Sequence, residues 1–149
     1  MTTTADNSAR ARSAARKLLI QALYQRQMGA QSWQELHRQF SADPTFERAD
    51  SDFFRLALAA VCDESAQLDE ELRHHSDIEP ARLDPVEHAI LYLGLWELMA
   101  RPDIPYRVVI NEAVELAKRF GATDGHRYVN AVLDKASRVH RGVERGEVA

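Results

Sequence analysis

The chain has 149 residues, of which 45% are hydrophobic, and its formal net charge at pH 7 is −4. This length allows one domain or two small lobes, and no apolar run approaches the roughly 20 residues that a membrane span requires. The N-terminus lacks the apolar segment of a signal peptide. The single cysteine, Cys62, leaves no internal disulfide framework, which is typical of a cytoplasmic protein.

The charges are distributed unevenly along the chain. Residues 1–30 carry five basic side chains against one acidic side chain, a net charge of +4. Residues 31–100 carry five basic and 15 acidic side chains, a net charge of −10, whereas residues 101–149 carry nine and seven, a net charge of +2. A basic arm on an acidic body predicts two partners of opposite charge.

The N-terminal segment predicts a basic helix from about Ser8 to Gly29, because apolar residues recur in it at helical spacing. The expected apolar stripe consists of Ala11, Ala15, Leu18 and Ala22, with Leu19 and Leu23 beside it.

Basic and aromatic residues on this helix point to nucleic acid. Seven residues make two helical turns less about 20°, so Arg10, Lys17 and Tyr24 align along one side. Arg12 and Arg16 are expected on other parts of the helix surface. Such a helix suits single-stranded RNA, since cations neutralise phosphates and a ring stacks on an unpaired base. The alternative is a solvated polar face whose tyrosine packs in the core against a neighbouring helix.

Helices are also predicted in the acidic segment. A short helix covers Trp33–Phe40, and a turn region with Pro44 covers Ser41–Asp50. A long helix then begins near Ser51, where apolar positions step by four and three as in a bundle helix. Those positions are Phe54, Leu58, Val61, Ser65, Leu68 and Leu72.

The segment from Asp84 to Ala100 has clear start and end signals. Asp84 is a strong N-cap candidate, Pro85 suits the first helical position, and Glu87 falls where a capping box places an acid. Pro102 ends the helix, because proline disfavours helical geometry in the preceding residue. Apolar residues lie on nearly every face, which is typical of a buried helix. The residues expected in the core include Ile90, Leu93 and Trp96.

Two more helices are predicted after Pro105. The first ends at Phe120, where Gly121 takes the position of a C-cap glycine. Thr123 or Asp124 can cap the second, which is expected to fray after Val139. Few β-branched alternations occur, so we expect no sheet.

No set of residues points to catalysis. The six glycines are scattered and form no phosphate-binding loop. His74 and His75 are adjacent, so on a helix they point about 100° apart and chelate a metal poorly. Cys62 has no cysteine partner for zinc. We therefore expect a binding protein rather than an enzyme, with no cofactor and no metal site.

Two long strings carry a resemblance to a known family. Residues 105–118 follow the pattern P-Y-x-V-x-I-N-E-A-V-E-L-A-K, and residues 120–135 follow F-G-x-x-x-x-H-R-Y-V-N-A-V-L-D-K. Both strings resemble the NusB family of bacterial transcription antitermination factors, as does Gln21-Ala22-Leu23-Tyr24. The resemblance spans most of the chain and is weakest between about Ser32 and Asp50.

The resemblance implies an all-α fold of two small helical bundles packed around a central buried helix. In this scheme residues 1–80 form an N-terminal lobe with the basic arm, residues 81–141 form a C-terminal lobe, and residues 142–149 form a tail. It also implies binding of boxA RNA together with NusE, which is a small-subunit ribosomal protein. With other Nus factors, such a complex helps RNA polymerase to read through terminators, notably in ribosomal RNA operons.

The resemblance further implies the roles of individual residues. The arginines of the basic arm match an arginine-rich motif, although alanine and serine separate them here. Tyr24 matches a family tyrosine, Asp124 and Tyr128 match an acid and an aromatic residue near the RNA path, and Glu87 matches a glutamate at the NusE surface. The predicted RNA-binding residues are Arg10, Arg12, Arg16, Lys17, Tyr24, Asp124 and Tyr128.

Two other interpretations stay open. A NusB-like domain also occurs fused to a ribosomal RNA cytosine methyltransferase, but that arrangement needs a second domain with a cofactor-binding glycine loop, which we do not expect in 149 residues. The other is a structural helical partner whose basic arm binds nothing. An exposed apolar patch on the first helix could also support a dimer that hides the RNA face.

Overall fold

The computed structural model of the chain describes residues 4–147, with side chains from residue 7 onward. This range contains seven α-helices and two short 3-10 helices and no strand, which confirms the predicted all-α fold. Residues 148–149 of the predicted tail lie outside the described residues. The α-helices are α1 (Thr4–Gly29), α2 (Trp33–Ser41), α3 (Ser51–Asp63), α4 (Ser65–His75), α5 (Pro85–Ala100), α6 (Tyr106–Phe120) and α7 (Gly125–His140), and the 3-10 helices are Pro44–Arg48 and Pro80–Arg82.

The chain divides into two compact units, Met1–Asp63 and Glu64–Ala149. The sequence places the boundary between lobes near residue 80, whereas the structure assigns α4 to the second unit. The sequence predicts one long helix through this region, and that prediction is wrong, because the helix is interrupted at Glu64. This residue has φ −112° and ψ 17°, outside α-helical geometry. The apolar residues keep the same helical spacing before and after Glu64, so the sequence pattern does not predict the interruption.

In the first unit, α1 packs against α3 and against the first 3-10 helix, and α2 packs against α3. The backbone N–H of Asp50 donates to the carbonyl oxygen of Ala11 at 2.9 Å, which fixes the start of α3 against α1. Ser32 is the N-cap of α2 and forms a complete capping box with Glu35. The Ser32 hydroxyl accepts from the Glu35 backbone N–H, and the Glu35 carboxylate accepts from the Ser32 backbone N–H. The buried apolar residues of α1 and α3 are Ala15, Leu18, Leu19, Ile20, Ala22, Leu23, Phe53, Phe54, Ala57, Leu58 and Val61.

In the second unit, α5 is central and contacts α4, α6 and α7. Every residue from Ala89 to Leu98 is buried, including Ile90 at 1%, Leu93 at 2% and Trp96 at 6% exposure, as predicted. Burial of each large apolar side chain contributes about 1.5–3 kcal/mol. As expected, Asp84 caps the helix, accepting from the backbone N–H groups of Val86 and Glu87.

Arg141 closes the second unit after α7. It is 5% exposed, although a frayed end was expected at this position. Its guanidinium donates to four backbone carbonyl oxygens at 2.7–3.0 Å around the end of α5 and the following loop. These carbonyl oxygens belong to Glu97, Leu98, Arg101 and Ile104. The Glu97 carbonyl also accepts from the Arg101 backbone N–H, and the Arg101 carbonyl accepts from that of Ile104. Arg141 therefore adds a second donor to these two and bonds the carbonyls of Leu98 and Ile104 near the helix end.

The segment after Arg141 is tied to α6. The Glu144 carboxylate accepts from the Tyr106 backbone N–H at 2.8 Å and from Arg141 at 2.7 Å. Burial alone would raise the pKa of Glu144, but these two donors outweigh it and lower the pKa. The carboxylate therefore stays ionised at the N-terminus of α6, where negative charge is favourable. Within residues 4–147, no helix is long and apolar enough to cross a membrane.

Candidate nucleic-acid interface

Arg10, Lys17 and Tyr24, which the sequence predicts to form a row along one side of α1, lie on its exposed side. Arg10 and Lys17 are exposed, and Tyr24 is 42% exposed. The exposure of Tyr24 rules out the core position that was the alternative for it. Seven residues of helix rise about 10 Å, so two cations and one ring follow each other at regular intervals along one side of the helix.

Arg12 is less accessible than the row of Arg10, Lys17 and Tyr24. Its side chain is half-buried, and its Nε is buried without a hydrogen-bond partner. Arg12 therefore presents less of its guanidinium to solvent than Arg10 does.

Arg16 is not on the surface, and the expectation that it lies there is wrong. It is 1% exposed, and its guanidinium carbon lies 5.2 Å from the centre of the Phe53 ring. The reason is helical phase: Arg16 precedes Leu19 by three residues and Leu23 by seven, so it shares the face of these two buried residues. This spacing is visible in the sequence and could have predicted the burial.

Glu87 is only 7% exposed, so it is far less accessible than its predicted surface role requires. Its carboxylate does not complete the capping box expected with Asp84. Instead, Oε2 accepts from the backbone N–H of Ala122 at 3.3 Å, in the loop between α6 and α7. Glu87 thus joins the first turn of α5 to the segment that precedes α7.

The approach of Glu87 to α7 depends on Gly125. A Cβ placed on Gly125 would lie 2.5 Å from Oε1 of Glu87, closer than real Cβ contacts. Burial raises the pKa of Glu87 and the charge of Asp84 raises it further, while the Ala122 N–H partly offsets them. The sequence shows the glycine but not this close approach, which is why Gly125 was missed.

Asp124 and Tyr128 flank Gly125 at the start of α7. Asp124 has a φ of 65°, a left-handed conformation that aspartate tolerates better than most residues. It stands at the N-cap position, but its exposed side chain forms no capping hydrogen bond, so this part of the expectation was wrong. Its carboxylate lies 3.8 Å from Arg127 Nε at the surface.

Tyr128 is half-buried, and its hydroxyl is hydrogen-bonded to the hydroxyl of Ser76. Burial raises the pKa of Tyr128 despite the opposing effect of this bond, so the phenol is neutral at physiological pH. The bond anchors the ring by its hydroxyl end to the segment after α4. Sequence reasoning missed Ser76, because the pairing joins distant parts of the chain.

The predicted site residues therefore fall into two groups, one in each unit. The first unit holds Arg10, Lys17 and Tyr24 exposed on α1, together with the half-buried Arg12. In the second unit, Asp124 and Tyr128 lie beside Glu87.

The comparisons with known proteins agree with the fold. The NusB family model matches residues 13–138. The transcription antitermination protein NusB of Pseudomonas entomophila (strain L48) is 52% identical over 124 residues, which are 83% of this chain and 75% of that protein. The protein of the same name from Halorhodospira halophila (strain DSM 244 / SL1) is 46% identical over 145 residues, 96% of this chain and 93% of that one.

Structural similarity extends over the whole chain. A solved structure of T. maritima NusB has a TM-score of 0.81 and 25% sequence identity to this chain, covering 99% of this chain and 100% of the other. The region matched by the family model includes the strings at residues 105–118 and 120–135. The chain therefore belongs to the NusB family of transcription antitermination factors.

Proposed function

We propose that the protein binds boxA RNA together with NusE and promotes processive transcription, notably of ribosomal RNA operons. Membership of an antitermination family supports this role. RNA polymerase and the other Nus factors are then its further partners.

The observation that carries the proposal is the row on α1, in which Arg10, Lys17 and Tyr24 are all solvent-accessible. Two exposed cations suit phosphates, and an exposed ring beyond them suits an unpaired base. Stacking on such a ring is worth about 1–3 kcal/mol per base, whatever the base. We assign Arg10 and Lys17 to phosphates and Tyr24 to a base.

Arg12 and Arg16 take lesser parts in this proposal. Arg12 is half-buried, so we assign it a partial phosphate contact. Arg16 lies under the surface against Phe53, so we propose that it supports the RNA-binding helix from within. Its effect on RNA then comes through the stability of α1.

Asp124 and Tyr128 supply a second RNA contact in this proposal. An ionised carboxylate accepts hydrogen bonds from amino groups on base edges, and the exposed Asp124 is free of a capping bond. The Tyr128 ring is held at its hydroxyl by Ser76 and offers its partly exposed edge or face to a base. A carboxylate repels phosphates, so Asp124 is suited to selecting bases rather than to raising general affinity.

We propose that NusE binds the acidic segment of residues 31–100, whose net charge of −10 complements a basic ribosomal protein. Glu87 takes part mainly as a positioning residue, since it is 7% exposed and bonded to Ala122. Exposed acids such as Glu64 and Glu70 then supply the electrostatic attraction.

The test is a titration of boxA RNA and of a scrambled RNA at two salt concentrations, with and without NusE. We expect tighter binding to boxA than to the scrambled RNA, a further gain with NusE, and a salt slope of roughly −0.7 per phosphate contact. Equal affinity for the two RNAs in the presence of NusE would contradict the proposal. No binding to either RNA would favour the alternative of a structural helical partner.

A further inference from the structure

Three potential metal ligands meet in the second unit, away from the residues assigned to RNA. Glu71 and His75 lie one turn apart on α4, and His140 is the last residue of α7. Oε1 of Glu71 lies 3.0 Å from Nε2 of His75 and 2.5 Å from Nε2 of His140. All three ligand atoms lie within 4.8 Å of one another.

We propose that Glu71, His75 and His140 form a binding site for Zn²⁺. Zinc prefers imidazole nitrogen and carboxylate oxygen among its ligands, and sites with three protein ligands leave the fourth position to water. The spacing of Glu71 and His75 places both on one face of α4. His140 approaches from another helix, so the site joins elements that are distant in sequence.

The geometry needs only small adjustments to hold the ion. Zinc bonds of about 2.0–2.1 Å in a tetrahedral arrangement place ligand atoms about 3.3 Å apart. The present separations from Glu71 Oε1 are 3.0 and 2.5 Å, so side-chain movements of about 1 Å or less suffice at these contacts. In the metal-free arrangement a proton lies between each nitrogen and the carboxylate. On binding, a neutral ring carries its proton on Nδ1 and gives zinc the Nε2 lone pair, while a protonated ring releases one proton.

The burial and charge of the cluster favour a cation. His75 is 7% exposed, and the side chains of Glu71 and His140 are 20% and 22% exposed. Zinc therefore has a route from solvent, while the ligands are held by packing. A carboxylate and two imidazoles are groups that zinc prefers, and the carboxylate brings a negative charge to the cation.

His74 provides a matched control on the same helix. It is adjacent to His75 but exposed, and it is outside the cluster. The sequence suggested that these two histidines chelate poorly as a pair, and the proposed site does not use them as a pair. It uses only His75, together with a carboxylate one turn earlier and a histidine 65 positions later in the chain.

The proposed ion links the C-terminal part of α4 to the C-terminus of α7 within one unit. Binding to the folded state alone stabilises that state, so zinc would raise the melting temperature. This role is separate from RNA binding and does not depend on it. Because the ligands must be deprotonated, zinc affinity falls in acid.

The experiment uses the full chain without a histidine tag, stripped with EDTA and returned to EDTA-free buffer. Zn²⁺ is titrated against a chromophoric chelator, and Co²⁺ serves as a spectroscopic probe. We expect one Zn²⁺ per chain and a higher melting temperature with zinc. His140→Ala and Glu71→Gln should weaken binding by roughly tenfold or more, since even loss of groups that only support metal ligands costs about that much. His74→Ala should bind as the parent does.

A second variant keeps the test decisive if His140→Ala folds poorly. In His140→Cys the new thiolate can replace the imidazole, so the Co²⁺ complex should gain a sulfur-to-metal charge-transfer band. Equal zinc affinity in the parent, His140→Ala and Glu71→Gln would overturn the site. So would absence of zinc binding by the folded parent, which would leave Glu71 as a carboxylate hydrogen-bonded to two histidines.

Discussion

Glu87 occupies the space that a side chain on residue 125 would need. A Cβ on Gly125 would lie 2.5 Å from Oε1 and 2.6 Å from Cδ of Glu87. The absence of a side chain at this position therefore allows the first turn of α7 to close on the carboxylate. Because Asp124 and Tyr128 flank the glycine, this contact sets the position of two residues that we assign to RNA.

Gly125→Ala is expected to destabilise the protein by about 1–3 kcal/mol, the usual cost of forcing an extra methyl group into a packed site. Urea unfolding measures the loss. Gly29→Ala is the control, because the nearest side-chain atom to its Cβ would be Oε1 of Gln31 at 3.3 Å, compared with 2.5 Å for the contact at Gly125. Equal free energies of unfolding for the two variants would show that Glu87 leaves room for a side chain at residue 125.

Replacement of Glu87 tests the effect of burying its carboxylate. Burial, followed by the charge of Asp84, raises the pKa of Glu87 in the folded protein. Ionisation of such a group disfavours folding, so the penalty is present above the folded pKa and absent below the unfolded value of about 4.3. Glu87→Gln keeps an acceptor for the Ala122 N–H but cannot ionise. We expect it to be as stable as the parent or more stable at pH 7, with this pH-dependent advantage disappearing as the pH falls toward 4.

Urea unfolding between pH 4 and pH 8 follows this difference, with Glu87→Ala as the comparison. The alanine variant should be less stable throughout, since it removes the acceptor as well as the charge. A glutamine variant that is less stable than the parent only near neutral pH would show that the ionised carboxylate stabilises the fold.

Local signals predicted the parts of the fold that depend on neighbours in sequence. Asp84 and Pro85 begin α5 where their capping chemistry requires. The interruption at Glu64 was missed, because one residue can leave helical geometry without disturbing the apolar spacing on either side. Such spacing reports which face is buried but not whether the helix is continuous.

The candidate site was predictable in part for similar reasons. The seven-residue spacing correctly placed Arg10, Lys17 and Tyr24 on the exposed side of α1. Arg16 is buried despite its charge, because it shares the helical phase of Leu19. The contacts of Glu87 with Ala122 and Gly125 depend on tertiary structure, and no local pattern contains them.

Arg141 is expected to be among the residues most sensitive to substitution. Its guanidinium donates to four backbone carbonyl oxygens while the residue is only 5% exposed. Arg141→Ala should cost more than about 3 kcal/mol, since hydrogen bonds to charged groups contribute about 1.5–3 kcal/mol each. Arg141→Lys should also destabilise, because an ammonium lacks the planar fork of donors. Thermal unfolding checks both variants.

The control for Arg141 is Arg138→Lys in the last turn of α7. Arg138 is exposed and pairs with Asp134 at 3.3 Å, and such surface pairs contribute about 0–1 kcal/mol. Its replacement should therefore leave the melting temperature nearly unchanged. A similar loss in both lysine variants would indicate that the interior position of Arg141 does not matter.

Arg16 and Arg10 should respond in opposite ways when each is changed to alanine. Arg16→Ala removes a buried side chain over Phe53, and a desolvated cation–π contact alone is worth about 2 kcal/mol. We expect a lower melting temperature but an unchanged salt slope for RNA binding by the folded fraction. Arg10→Ala should keep the melting temperature and reduce the steepness of the salt slope by roughly 0.7. A reduced slope in folded Arg16→Ala would show that Arg16 contacts phosphate directly.

Tyr24 is expected to act through its ring rather than through charge or packing. Because it is 42% exposed, Tyr24→Ala should leave the melting temperature almost unchanged. If the ring stacks on a base, this change should weaken RNA binding by on the order of 1–3 kcal/mol, with little effect on the salt slope. Tyr24→Phe should be mild, since stacking does not need the hydroxyl. Met28→Ala is the control one turn further along α1, where an exposed apolar side chain has no assigned role. Normal RNA affinity in folded Tyr24→Ala, or an equal loss in Met28→Ala, would remove Tyr24 from the proposed interface.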